Sequence, residues 1–270
     1  MIGSAIFQLI AGNSGKLDAT QGRLLHAAFF QILNSYSVEL AACTHDNVRF
    51  KAFTVSELMP VKEKKRKFNT VFVRKGDVFY WRVTVLNDEL LRAIASVPVG
   101  YVLNVGSIHM TVKKIVMDSD KDKMTGVLDV THLMAACLSV NMVKKITFHF
   151  VSPVSFRTFK DDYPFPLPQL IFGSLAEKWN LAEMPVEFDC EEVRAVAAQL
   201  LPIAWKGSTI TIFLKKDRGI TGFTGDFSFK TDMLPVEKQQ MLLLLAQFAF
   251  FSGVGRLTGQ GMGQTRVTYQ

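Results

Sequence analysis

Two hydrophobic patterns alternate along this chain, and their order is its first signal. Residues 4–11 read as a strand. Leu25, Phe29, Ile32 and Leu33 then recur at the spacing of one helix face, behind an Asp18-Ala19-Thr20-Gln21 start. A short second helix is predicted over 37–43, and 50–58 is extended. Two strands, 70–74 and 78–85, meet at Lys75-Gly76-Asp77, a hairpin signal. Asn87 can cap a helix through 95, and Ile108, Met110, Val112 and Ile115 return 106–117 to strand character.

The same order then repeats. Ile146, Phe148 and Phe150 alternate in a strand over 145–157. Helices are predicted over 169–179 and 191–200, a hairpin of 209–215 with 221–230 around Asp217-Arg218-Gly219, a long helix over 237–251, and a closing strand over 264–269. Two βαββαβ halves predict an α+β chain of two tandem ferredoxin-like (RRM-like) domains, 1–140 and 141–270. Residue identity does not repeat, so the duplication is read from element order alone. A helix over 131–140 lies between the halves, and 118–124 is a polar loop tip.

Composition narrows the partners. The formal charge is +7, which suits an anionic partner such as nucleic acid or a membrane surface, and equally an ordinary basic enzyme. Cys43, Cys137 and Cys190 are odd in number and widely spaced, which suits a reducing, cytoplasmic setting rather than a disulfide or zinc framework. No signal peptide opens the chain, and the apolar run 241–251 carries Gln247 and is too short to span a bilayer. Nucleic acid is therefore the expected partner, and no membrane is.

The tail from Ser252 to Arg266 is the densest local signal. Gly253, Gly255, Gly259, Gly261 and Gly263 stand between a helix and a strand, with Arg256 and Arg266 beside them. Such a run predicts an anion-binding nest of backbone N–H groups. Walker and dinucleotide loops run from strand to helix, so a polymeric phosphate backbone fits better.

Four stretches together resemble the CRISPR-associated repeat endoribonucleases, the Cas6 family of the RAMP superfamily. They are Gln21-Gly22-Arg23-Leu24-Leu25-His26-Ala27-Ala28-Phe29-Phe30; the segment 45–59, where His45 and Lys51 precede Phe53-Thr54-Val55-Ser56; the segment from Val151-Ser152-Pro153-Val154-Ser155-Phe156-Arg157 through Trp179; and the glycine tail. The resemblance implies a metal-independent endoribonuclease that processes CRISPR repeat RNA to crRNA and leaves 5′-hydroxyl and 2′,3′-cyclic or 3′-phosphate ends, with no cofactor or metal. It also admits a non-catalytic RNA-binding RAMP subunit, with effector-complex subunits or a second copy of the chain as protein partners.

Metal-free RNA cleavage needs a base for the 2′-OH proton, an acid for the departing 5′-oxygen and a cation for the charged transition state. Histidine suits either proton role near neutral pH. His26 and His45 rank together as candidates, with base and acid not assigned, and Lys51 is the candidate electrostatic stabiliser. Relatives with the His-Lys spacing add a tyrosine on the first helix; here Leu25 or His26 fills that place, and Tyr36 lies farther along. The ordinary reading of His26 is a helix-edge histidine satisfied by a backbone carbonyl. Candidate RNA-binding residues are the five tail glycines, Arg256, Arg266, Arg157, Lys160 and, from the basic run 62–67, Lys64, Lys65 and Arg66. His109, His132 and His149 read as structural.

Overall fold

The computed structural model describes all residues except 48–49, 63–65, 68–69, 160 and 216–217, with 66–67, 214–215 and 218 described as backbone only. Contacts divide the chain into two units, Met1–Val127 with Gly259–Gly261, and Leu128–Thr258 with Met262–Gln270. The helix Val130–Leu138 thus counts with the second unit.

In the first unit, β1 (Ile2–Ala11) leads to α1 (Gly22–Tyr36) and α2 (Val38–Asp46). Then come β2 (Phe53–Val55), β3 (Val78–Val85), α3 (Asp88–Ala95), β4 (Val102–Val105) and β5 (Ile108–Val116). The sheet runs β2-β3-β1-β5-β4, with every pair antiparallel. The apolar stripe of α1 buries Leu25, Phe29, Ile32 and Leu33 in one core with Phe7, Leu9, Trp81 and Val83 of the sheet. Phe7 on β1 pairs in register with Trp81 on β3, their rings 5.3 Å apart.

The expected hairpin of 70–74 with 78–85 does not form. The turn is there: Asp77 Oδ2 accepts from the Arg74 N–H at 2.7 Å, and Gly76 takes φ +87°. Yet Thr70–Val73 pairs with Gly15–Asp18 and Arg66–Lys67 in a separate small sheet, while β3 goes to the centre of the main one. Alternation marks a strand without naming its partner.

The second unit opens with α4 (Val130–Leu138) and β6 (Lys145–Val154). A two-stranded hairpin, β7 (Phe156–Thr158) and β8 (Asp161–Tyr163), follows. Next are α5 (Pro168–Leu181), α6 (Cys190–Ala197), β9 (Leu201–Lys215), β10 (Arg218–Lys230), α7 (Val236–Ser252) and β11 (Thr265–Tyr269). The sheet order is β9-β10-β6-β11, again antiparallel. Matching the four βαββαβ strands shows the same spatial order, 2-3-1-4, in both units, so the topology repeats where the residues do not. Phe148 meets Phe172 edge-on at 5.5 Å, and Trp179 meets Phe248 at 5.1 Å, which joins β6, α5 and α7 in one aromatic core.

Two further sequence expectations shift here. The strand expected over 145–157 ends at Val154, and the chain turns into the short β7–β8 hairpin. β9 begins eight residues before 209, in an edge segment exposed on both faces. No described helix is long and apolar enough to cross a membrane.

Candidate active site

Helix α1 starts without a local cap. Gln21 precedes it at the N-cap position with no capping side-chain bond of its own. Glu57 does the work from a distance: its carboxylate accepts from the N–H groups of Gln21 at 2.5 Å and Gly22 at 3.0 Å. A carboxylate there complements the positive end of the helix dipole. Gly22 is required because a Cβ would lie 1.8 Å from the Gln260 carbonyl oxygen. A Cβ at Gly261 would in turn come within 3.0 Å of Glu57 Oε1. The first turn of α1 therefore holds residues 259–261 against it.

One turn further along, His26 is half-buried, and its Nδ1 lies 2.8 Å from the Gly259 carbonyl oxygen. A carbonyl only accepts, so Nδ1 carries the proton, and the neutral ring keeps its lone pair on Nε2. The imidazole packs against Phe30 and Phe53, with centroids 5.1 and 5.4 Å away. Burial holds its pKa below the ordinary 6.5; the Gly259 bond pushes back, and the charges of Lys51 and His45 add to the lowering.

His45 occupies the last turn of α2, which runs on to Asp46. Its ring meets Phe30 edge-on at 5.7 Å, so both imidazoles pack on one phenylalanine. His45 is exposed, with Nδ1 3.3 Å from Asp46 Oδ1. Lys51 donates to the carbonyls of Thr44 at 2.9 Å and His45 at 2.5 Å, which closes the C-terminal turn of α2. Desolvation lowers its pKa, and Asp46 opposes that. His26, His45 and Lys51 are thus brought together. Tyr36 is not: it lies ten positions along α1, about 15 Å at ~1.5 Å per residue. It borders a cavity of about 250 Å³ with Ala93, Ser96 and Tyr101.

In the second unit the glycine tail connects α7 to β11, as expected, but three of its glycine N–H groups are used internally. Gly253, Gly255 and Gly263 donate to Ala249 O, Ser174 Oγ and Pro153 O, all at 2.9–3.1 Å, and all three glycines are buried. Their conformations explain the residue type. Gly255 takes φ +71° with Ser155 O 2.4 Å from where a Cβ would be, and Gly263 takes φ +69° against Val254 O. Helix α5 holds the loop through two residues one turn apart, Ser174 and Lys178. Lys178 Nζ donates to the carbonyls of Ser252 at 3.2 Å and Gly253 at 2.9 Å, and removal from water lowers its pKa to about 7.

The cations of this unit remain at the surface to different degrees. Arg256 is half-buried and ion-paired with Asp162, while Arg157 and Arg266 are exposed. Lys64, Lys65 and Lys160 lie outside the described residues, and Arg66 is described as backbone only. His149 bonds Asp226 Oδ1 at 2.7 Å and Thr268 Oγ1 at 3.0 Å across three strands, and His109 bonds Asn104 Oδ1 at 2.7 Å.

Residues 1–122 match the model of the CRISPR Cas6 N-terminal domain, and residues 148–265 match that of the CRISPR-associated endoribonuclease Cas6. The chain belongs to the Cas6 family. A Thermus thermophilus Cas6 solved as a product complex is 27% identical, with TM-score 0.78 over 99% of this chain and all of that one. A second Cas6 product complex is 22% identical, with TM-score 0.75 and coverage of 99% and 100%. A RAMP protein described as binding different RNA substrates shares the fold at TM-score 0.62 and 16% identity, covering 98% of this chain and 99% of its own. No curated protein sequence matches the chain. Both ferredoxin-like domains of Cas6 structures are present here.

Sequence reasoning missed Glu57 and the Gly259 carbonyl. The sequence suggested an N-cap within Asp18-Ala19-Thr20-Gln21, but α1 begins at Gly22 and its N-cap, Gln21, makes no side-chain cap bond, so the cap comes from Glu57.

Proposed function

We propose that this Cas6 binds CRISPR repeat RNA and cuts it once per repeat without a metal ion, through the 2′-hydroxyl next to the scissile phosphate. The O2′–P bond forms as the P–O5′ bond breaks, giving a 2′,3′-cyclic phosphate and a 5′-hydroxyl. The nucleophile belongs to the substrate, so the first step needs neither a bound water nor a Lewis acid to generate it. What the protein must supply is proton transfer and charge stabilisation.

The observation that carries this reading is the Gly259 carbonyl on His26 Nδ1. It leaves Nε2 as a base, and the lowered pKa keeps that base unprotonated at neutral pH. His26 then takes the O2′ proton. In this scheme His45, exposed at the end of α2, protonates O5′, and the Lys51 ammonium offsets charge on the phosphorane-like transition state. Tyr36 has no part in this scheme.

The test is single-turnover cleavage of the chain's own repeat RNA in EDTA. Cutting at one position is expected, and it should be abolished by 2′-deoxy substitution of the nucleotide before the break. Cleavage that survives that substitution would remove the mechanism. Tight binding with no product would make the chain a non-catalytic RNA-binding subunit.

A further inference from the structure

The last register pair of the β7–β8 hairpin is Thr158 with Asp161, so Phe159 lies at its turn. Two-residue hairpin loops whose twist suits the strands need φ > 0, and they favour Asn, Asp or Gly because a side chain crowds the backbone there. This chain instead places Phe159 in the loop at φ +57°. The ring is also 97% exposed, more than any other large apolar side chain described. Neither turn chemistry nor core packing accounts for it. A residue that is unfavourable on both counts marks a site with an outward task.

Its surroundings indicate the task. Arg157 is exposed two residues back on β7 and sits in register with Asp162 on β8. Asp162 is ion-paired with Arg256, and Arg157 lies near enough for its charge to lower the Arg256 pKa further, after desolvation. Arg256 therefore pairs with a carboxylate at the foot of the hairpin, with a second arginine, Arg157, close by. A protein-docking patch would present contiguous apolar area, whereas the other exposed side chains among this hairpin's described residues, Arg157 and Asp161, are charged. One exposed flat ring two residues along from an exposed arginine suits a nucleobase face with a phosphate next to it.

We infer that Phe159 stacks on a base of the bound repeat RNA while Arg157 engages the adjoining phosphate. This rests on the RNA-binding reading above. Phe159→Gly and Phe159→Asn both suit the backbone, so neither should lower Tm. Each should weaken binding of the repeat RNA by about 5- to 100-fold at fixed salt, with the slope of log Kd against log salt unchanged. Phe159→Trp should retain affinity and add an emission that RNA quenches. Gly and Asn variants that bind as tightly as the unaltered chain would overturn the inference and leave the RNA-binding reading standing. A shallower salt slope in those variants would also overturn it, since it assigns an electrostatic role. Unchanged RNA affinity with an altered oligomeric mass would do the same by giving the ring to a protein partner. An unaltered chain that does not bind the repeat RNA would remove both readings.

Discussion

At the scale of single residues, the proton on His26 Nδ1 decides the chemistry available. His26→Ala should lower the single-turnover rate by about 10²–10⁴-fold, the usual worth of a general base, with little change in repeat-RNA affinity. The acid limb of the wild-type pH–rate profile should fall below 6.5, because burial holds the His26 pKa under that ordinary value. Stability should follow the same direction. Above 6.5 the ring is neutral in both states; as pH falls below 6.5 the unfolded chain takes the proton first, so stability declines there. Urea melts of wild type and His26→Ala across that window should differ in slope, and equal slopes would mean that the ring titrates freely. The residue types at 26, 45 and 51 were legible from the sequence because their chemistry and order resemble those of a family. The carbonyl that sets the His26 tautomer was not, since Gly259 lies 233 positions away and carries no side chain to betray it.

At the scale of elements, the glycine tail is a tightly packed connection rather than a flexible one. Gly255→Ala adds a methyl group against Ser155 O at a positive φ, so it should destabilise the second unit by about 1–3 kcal/mol. Denaturant melts would measure that loss, and an unchanged midpoint would show that the loop can shift. The sequence reading took glycine density as a set of donors for phosphate, and the structure uses the N–H groups of Gly253, Gly255 and Gly263 internally. Composition reports which backbone conformations are open, but hydrogen-bond partners depend on what packs alongside, here Ser174 and Lys178 of α5. The failed hairpin of 70–74 has the same cause. Its local turn was read correctly, but the pairing of Thr70–Val73 was decided by Gly15–Asp18, more than fifty residues earlier.

At the scale of the whole molecule, a net charge of +7 acts on a polyanion through released counterions. Repeat-RNA affinity should therefore fall steeply and linearly on a log–log plot against salt. Arg266→Ala should reduce that slope by about one unit if the exposed guanidinium meets a phosphate, measured by binding titrations at several salt concentrations. An unchanged slope would place Arg266 off the RNA path. By itself the sequence determined the order of the main helices and sheet strands, the α+β class, the repeated βαββαβ plan and the residue types proposed here for the reaction. These follow from periodicity and side-chain chemistry, which are local properties. Tertiary structure alone decided which strand pairs with which, how α1 acquires its cap from Glu57, and which histidine nitrogen is free. Each of those depends on a backbone group or carboxylate arriving from a distant part of the chain, and such groups leave no periodic trace.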